Sequence, residues 1–249
     1  MSPWVSRLLI ANVAMFVLQY LSPGLTEQLV LVPALLPVQP WTAITYMFLH
    51  GGFGHIFFNM LTLYFFGPRV EERLGGPHFL WLYFLSGMSG ALLSWVFAPT
   101  TGVIGASGAI FGVMLAYARF WPHDRILIWG IVPVEARWLV GITTGIELFF
   151  IQPGARGGGI AHFAHLGGYA GAAAFLVWLH WRSPGKRFRT RVSKPVAAAD
   201  SRRWSTIDRD TVHEVNRGEL DRILDKINAS GITSLTPAER TFLDHFSTK

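Results

Sequence analysis

The apolar segments of this chain decide what it can fold into. Charged residues are rare from Leu8 to Trp181 and frequent after Arg182, and only 14% of all residues are charged. A typical soluble protein has about 25%. The pattern predicts an all-α, polytopic membrane body over residues 1–182, followed by a polar tail.

Six membrane-spanning helices are predicted in this body. Their approximate ranges are 5–22, 52–67, 77–98, 106–121, 136–152 and 160–181. A crossing needs about 20 mostly apolar residues, so the shorter spans suit helices that begin below the membrane surface. The first span has no A-x-A cleavage site and is predicted to be retained. The apolar stretch Ile126–Val134 has charged neighbours and is predicted to be an interfacial segment.

Basic residues are distributed unevenly among the connections. One set of connections carries Arg7, Arg69, Arg73, Arg119, Arg125, Arg137 and the basic residues of 182–203. The other set (23–50, 99–105 and 153–159) carries only Arg156. Because Lys and Arg accumulate on the cytoplasmic side, both termini are predicted to be cytoplasmic. The net charge of +6 is interpreted as a basic stretch facing the lipid bilayer, with no nucleic acid as a partner.

The tail is predicted to contain a flexible basic linker, 183–206, and a small helical hairpin, 207–249. The first helix of the hairpin has an apolar stripe and ends near Gly231. The second begins with a capping box of Thr236 and Glu239. Two roles stay open for this cytoplasmic tail, binding a partner and packing on the membrane body.

The first polar cluster within the spans contains His50, His55 and Asn59. Spacing of four residues places His55 and Asn59 on one face of a helix, where both can donate hydrogen bonds towards a shared point. The alternative is a polar pair that joins helices.

The second cluster is a serine among glycines. Gly105 and Gly108 lie on either side of Ser107 at the predicted start of the fourth span. Its hydroxyl is therefore unobstructed, and a residue at a helix start has a free backbone N–H that can stabilise an oxyanion. Gly108 and Gly112 let a second helix approach closely, and Phe111 lies one turn below the serine. A lone membrane serine usually bonds to its own helix, so this context makes Ser107 a candidate nucleophile.

The third cluster contains His162 and His165 in the sixth span. Gly168 and Ala172 follow His165 at helical spacing, so small residues lie beneath its imidazole and can dock on the glycine face of the fourth span. The stripe of His162 contains the bulky Tyr169. His165 is therefore predicted to be the histidine that faces the serine.

A Ser-His dyad is predicted, because no aspartate lies in any span to complete a triad. His165 would take the proton of Ser107 and return it to the leaving amine. The chain has no cysteine, no H-E-x-x-H motif and no carboxylate beside a histidine pair, so no metal site or cofactor is predicted. Glu147, in the fifth span, has no assigned role.

Taken in order, these clusters resemble those of the rhomboid family of intramembrane serine proteases, in its bacterial form, over roughly residues 40–180. The matching motifs are H-x(4)-H-x(3)-N at His50, His55 and Asn59, V-E-x-R-L-G at 70–75, G-x-S-G at 105–108 and A-H-x-x-G at 164–168.

The resemblance implies roles for individual residues. Ser107 and His165 would form the dyad, and His55, Asn59 and the Ser107 backbone N–H would bind the oxyanion. Phe111 would pack on the catalytic imidazole. Two further residues, Glu71 and Arg73, match a structural polar cluster at the cytoplasmic end.

The resemblance also implies an activity. Its substrates would be single-pass transmembrane proteins cut near the outer face of the bilayer, with the fifth span (136–152) as a lateral gate. The expected location is a bacterial plasma membrane. One alternative is a catalytically inactive rhomboid-like protein that binds membrane clients. A transporter is a second alternative, but the sequence shows neither midplane charges nor an inverted repeat.

Overall fold

A computed structural model of the chain describes residues 2–22, 24–128, 130–151, 160–182, 204, 207 and 212–246. The chain divides into two compact units, 1–179 and 180–249. The predicted loop 153–159 lies outside the described residues, and so does the predicted linker 183–206 apart from Trp204.

The first unit is mostly helical. In chain order its helices are α1 Pro3–Leu21, α2 Leu25–Leu29, α3 Thr42–Thr45, α4 Phe53–Leu74, α5 Gly76–Phe97, α6 Ser107–Phe120, α7 Ala136–Phe150 and α8 Ile160–Arg182. The six long helices occupy the stretches predicted as spans. By length and composition alone, α1 and α5 are able to cross a membrane, and α6 is apolar but shorter.

Helix α4, which corresponds to the second predicted span, is longer than the apolar pattern indicated. The predicted span ended at residue 67, but the helix continues through Pro68 to Leu74. The added turns carry Glu71, whose carboxylate accepts hydrogen bonds from the backbone N–H groups of Trp4 (3.1 Å) and Val5 (2.9 Å). Glu71 therefore caps the N-terminus of α1, where an anion is favoured. The guanidinium of Arg73 instead lies over the ring of Phe120, on α6.

The predicted interfacial segment is a β-hairpin. Strands β1 (Arg125–Ile128) and β2 (Val132–Glu135) pair antiparallel, and Gly130 adopts a φ of +71° in the turn. Hydropathy indicated an apolar stretch here but not its secondary structure.

Helix α6, which corresponds to the fourth predicted span, lies at the centre of the first unit. It contacts α4, α5 and α7, and its residues Ala109, Val113 and Ala116 are fully buried. Small side chains permit this position, because neighbouring helices can approach from several sides. A residue at the start of α6 is consequently surrounded by other helices.

The second unit contains α9 (Glu214–Ser230) and α10 (Pro237–Phe246). Its buried apolar residues are Trp204, Val212, Leu220, Ile223, Leu235 and Leu243. Gly231 ends α9 with a φ of +77°. At the start of α10 the Thr236 N–H donates to Glu239 (2.7 Å) and the Glu239 N–H donates to the Thr236 hydroxyl (3.3 Å), which is a capping box.

Glu239 makes the stability of the second unit depend on pH. The ammonium of Lys226 (2.8 Å), the Thr236 N–H and the guanidinium of Arg222 hold the pKa of its carboxyl at about 2, below the ordinary 4.5. A folded-state pKa that is lowered stabilises the fold above pH 4.5, and this stabilisation is lost as the pH falls to about 2. We expect pepsin to cut residues 214–246 faster in Glu239→Gln than in the wild type near pH 5. The ratio of the two rates should approach one near pH 2, and a ratio that does not change with pH would contradict this account.

Candidate active site

Ser107 is the first residue of α6. The Ile110 N–H donates to the Ala106 carbonyl (3.0 Å), so the N–H groups of residues 107 to 109 have no partner within the helix. The chain turns into α6 at Gly105, whose φ of +122° is in a region that favours glycine. The Gly105 N–H donates to the carbonyl of Tyr46 (2.9 Å), a buried residue, which fixes this turn.

His165 lies directly against Ser107. Its Nε2 is 2.7 Å from the Ser107 Oγ, which is hydrogen-bond distance. The Phe111 ring stacks on the imidazole with 4.2 Å between centroids and 14° between planes. The other histidine, His162, turns its Nδ1 towards α7.

Glycines bring α6 and α8 into backbone contact at this point. A Cβ on Gly168 would overlap the carbonyl oxygen of Gly108 and lie 2.8 Å from its carbonyl carbon. One turn further, a Cβ on Gly112 would meet the Ala172 Cβ at 3.2 Å. Side chains at these positions would separate the helices, so the serine–histidine distance depends on the glycines.

Gly168→Ala is expected to reduce any activity that needs Ser107 and His165 together by about 100-fold. The methyl group must displace α8 or α6, and a misplacement of about 1 Å between reacting groups can cost that much. The measurement is the initial rate at which a small fluorophosphonate labels Ser107 in the reconstituted protein. Gly141→Ala is the matched control, because a Cβ there meets nothing within 4 Å. Equal activity of Gly168→Ala and Gly141→Ala would show that the helix contact does not set the geometry.

Glu147 joins this site, although it lies on α7. It is 6% exposed, its Oε1 is 2.9 Å from the Nδ1 of His165, and its Oε2 contacts the Nδ1 of His162. The expectation that no carboxylate lies beside the histidines is therefore wrong. The sequence did contain a signal, because a carboxylate in an apolar span is unusual. Glu147 lies near the C-terminal end of the fifth span, and the next span contains the two histidines.

The same three residues are a possible metal site. Glu147, His162 and His165 each offer a ligand atom, and these atoms lie within 4.8 Å of one another. No carboxylate lies beside a histidine pair in the sequence, but folding brings Glu147 to His162 and His165 and so removes that reason to exclude a metal. His165 would bind such a metal through Nδ1, because its Nε2 contacts Ser107.

His55, on α4, also lies near Ser107. Its Nδ1 accepts a hydrogen bond from the Gly51 N–H (3.3 Å), which assigns the proton to Nε2. That Nε2 lies close to Gly105: a Cβ there would be 2.7 Å from it and 3.7 Å from the Ser107 Oγ. His55 is therefore placed to offer an N–H donor beside the serine.

Asn59 and His50 surround His55. The Asn59 amide donates one hydrogen to the His55 carbonyl (2.8 Å), which leaves its second amide hydrogen as a further donor. The His50 ring meets the His55 ring edge to face at 5.0 Å. Gln19 holds the His50 backbone, accepting from its N–H at 3.0 Å.

These features define a class of site: a serine at a helix N-terminus, a histidine in contact with its hydroxyl, and N–H donors beside it, as in serine hydrolases. A sequence model of the Rhomboid domain matches residues 37–182, more than half of the chain. The chain therefore belongs to the rhomboid family and is a polytopic helical membrane protein. Residues 206–249 match DUF6576, a family of unknown function.

Named relatives occur in plants, protozoa and bacteria. RHOMBOID-like protein 4 of Arabidopsis thaliana is 34% identical over 131 residues, 52% of this chain and 32% of that protein. Rhomboid-like protease 3 of Toxoplasma gondii is 30% identical over 146 residues, 59% of this chain and 54% of that protein. Rhomboid protease GluP of Bacillus subtilis is 42% identical over 74 residues, 30% of this chain and 14% of that protein. The chain thus spans about a third to about half the length of the first two.

Proposed function

We propose that this protein is an intramembrane serine protease that cuts single-pass transmembrane proteins near the outer face of the bilayer. The observation that carries the proposal is the 2.7 Å contact between the Ser107 Oγ and the His165 Nε2. Ser107 is the nucleophile and His165 the general base. Two of the relatives are themselves named proteases.

The reaction begins when the Ser107 Oγ attacks the carbonyl carbon of the scissile bond and its proton passes to the His165 Nε2. The tetrahedral oxyanion then collapses, the C–N bond breaks, and the leaving amine takes the proton from His165. An acyl-enzyme on Ser107 remains. Water attacks this ester while His165 takes a proton from it, and the proton returns to Ser107 as the carboxylic acid product leaves.

Three donors are available for the oxyanion. The backbone N–H of Ser107 is free of helix hydrogen bonds, the His55 Nε2–H lies beside it, and the Asn59 amide keeps one hydrogen. Donors held in place before the reaction stabilise charge as it develops, and losing one typically costs about 10²- to 10³-fold in kcat.

The membrane arrangement is part of the proposal. The six long helices α1, α4, α5, α6, α7 and α8 cross the bilayer with both termini in the cytoplasm, because the arginine-rich connections then face inward. The site then lies near the outer face, at the start of α6. The fifth of these, α7, is the lateral gate, since its Ile142, Ile146 and Phe149 are exposed. The proposed location is a bacterial plasma membrane.

The chain has no cysteine, so single introduced cysteines can map the arrangement. In intact bacterial cells, a cysteine at residue 100 should react with a membrane-impermeant maleimide, and one at residue 72 should react only after permeabilisation. The opposite labelling would overturn the orientation.

Reconstitution with a generic single-pass substrate tests the function. The wild-type protein in proteoliposomes should produce two fragments, with a cut site that mass spectrometry places near the outer end of the substrate helix. Binding of the substrate without any cut would favour the client-binding alternative. A cut in the cytoplasmic segment would contradict the proposed position of the site.

A further inference from the structure

The buried carboxylate of Glu147 contacts both His162 and His165 on α8, and a mechanism of two residues assigns it no role. Glu147 is in the last turn of α7, where the negative end of the helix dipole disfavours an anion. Its burial within a membrane protein adds a desolvation cost. A carboxylate in this position needs strong compensating contacts.

The contacts of Glu147 form a line with the nucleophile. Its Oε1 is 2.9 Å from the His165 Nδ1, and the His165 Nε2 is 2.7 Å from the Ser107 Oγ. A carboxylate at Nδ1 keeps the imidazole proton on that nitrogen. The Nε2 is then unprotonated and able to accept the hydroxyl proton of Ser107.

We propose that Glu147 is a positioning residue for the reaction, because it fixes the tautomer and orientation of His165 and stabilises the imidazolium that forms during attack. The inference rests on the proposed serine-protease function. The proton of Ser107 moves to the His165 Nε2 and then to the leaving amine, while Glu147 stays ionised throughout. The site thus works as a Ser-His-Glu arrangement in which the third residue comes from the proposed gate helix.

His162 holds the other oxygen of the carboxylate. Its Nδ1 contacts the Glu147 Oε2, and its ring stacks on Phe150 with 5.5 Å between centroids. The Thr143 hydroxyl also bonds the Tyr169 hydroxyl at 2.7 Å, which joins α7 to α8 a second time. Glu147 is therefore fixed from two sides, as a positioning residue requires.

The test uses the full chain in proteoliposomes and three variants, Glu147→Gln, Glu147→Asp and Thr144→Val. Glutamine keeps the shape of Glu147 but removes its charge, and aspartate keeps the charge on a shorter side chain. Thr144, one turn earlier on α7, bonds its own helix at Val140 (2.7 Å) and is the matched control. Two quantities are measured: kcat and KM for a single-pass substrate, and the rate at which a small fluorophosphonate labels Ser107. The label needs no passage through the gate.

We expect Glu147→Gln to lower kcat and the labelling rate by the same factor, about 10- to 100-fold, with KM unchanged. Glu147→Asp should recover part of both rates, and Thr144→Val should stay within about twofold of wild type. If Glu147→Gln does not fold, Glu147→Asp is compared with Thr144→Val. The inference then predicts that kcat and the labelling rate fall together in Glu147→Asp and stay near wild type in Thr144→Val.

Other outcomes overturn the inference. An altered KM with a normal labelling rate would mean that Glu147 acts on the gate. Normal kcat and labelling with a lowered melting temperature would mean a purely structural role. Loss of wild-type cleavage on chelation, restored by zinc, would mean that Glu147 and the two histidines bind a metal. Undiminished cleavage by Ser107→Ala would instead refute the proposed function itself, which separates the two failures.

Discussion

Ser107→Ala is expected to lower kcat for cleavage of a single-pass substrate by about 10⁴- to 10⁶-fold. The alanine variant has no oxygen to form the acyl-enzyme, so only binding and the oxyanion donors can contribute to any residual rate. The fold should be unaffected, because the backbone on either side of Ser107 is fixed by hydrogen bonds of Gly105 and Ile110 that do not involve the hydroxyl. The rate is measured in proteoliposomes from the appearance of the two fragments.

Ser94→Ala is the control for this experiment. Ser94 is a fully buried serine on the neighbouring helix α5, so its loss tests the effect of removing a buried serine hydroxyl other than that of Ser107. We expect nearly wild-type cleavage. Residual cleavage by Ser107→Ala above about 1% of the wild-type rate would mean that another group attacks the substrate.

His165→Ala is likewise expected to lower kcat by about 10⁴- to 10⁶-fold. Without the imidazole, the Ser107 proton has no acceptor at 2.7 Å. The matched variant is His162→Ala on the same helix, for which we expect only a several-fold loss, because His162 contacts Glu147 and not the serine. The measurement is kcat for each variant at saturating substrate.

The two histidine variants also test the choice between the histidines. Equal losses in both would indicate that the histidines act together, as ligands of one metal ion would. Loss of activity in His162→Ala alone would mean that the contact between His165 and Ser107 is not the reactive one.

Several features of the site followed from local sequence chemistry. The lengths of the apolar segments predicted the positions of the long helices, because the burial of apolar surface determines where such helices form. The glycines at 105, 108, 112 and 168 indicated where backbones meet, because only a missing side chain allows that approach. The choice of His165 over His162 relied on the same argument, and the structure places His165 against Ser107.

Other features depended on the three-dimensional arrangement. Glu147 is 18 residues from His165 along the chain, and no local pattern says that the end of α7 faces the start of α8. No aspartate lies in the predicted spans, but a glutamate carboxylate can contact a histidine in the same way. Glu71 matched a family motif, but its role as a cap on α1 depends on a contact 66 residues away. Hydropathy likewise could not distinguish the β-hairpin from an interfacial helix.

Covalent labelling tests the central claim, that His165 activates Ser107, most directly. The wild-type protein in liposomes is treated with a fluorophosphonate and analysed by intact-protein and peptide mass spectrometry. We predict a single adduct on Ser107, and labelling of His165→Ala slowed by at least about 10³-fold. An adduct on another residue, or labelling of His165→Ala at the wild-type rate, would contradict the assignment.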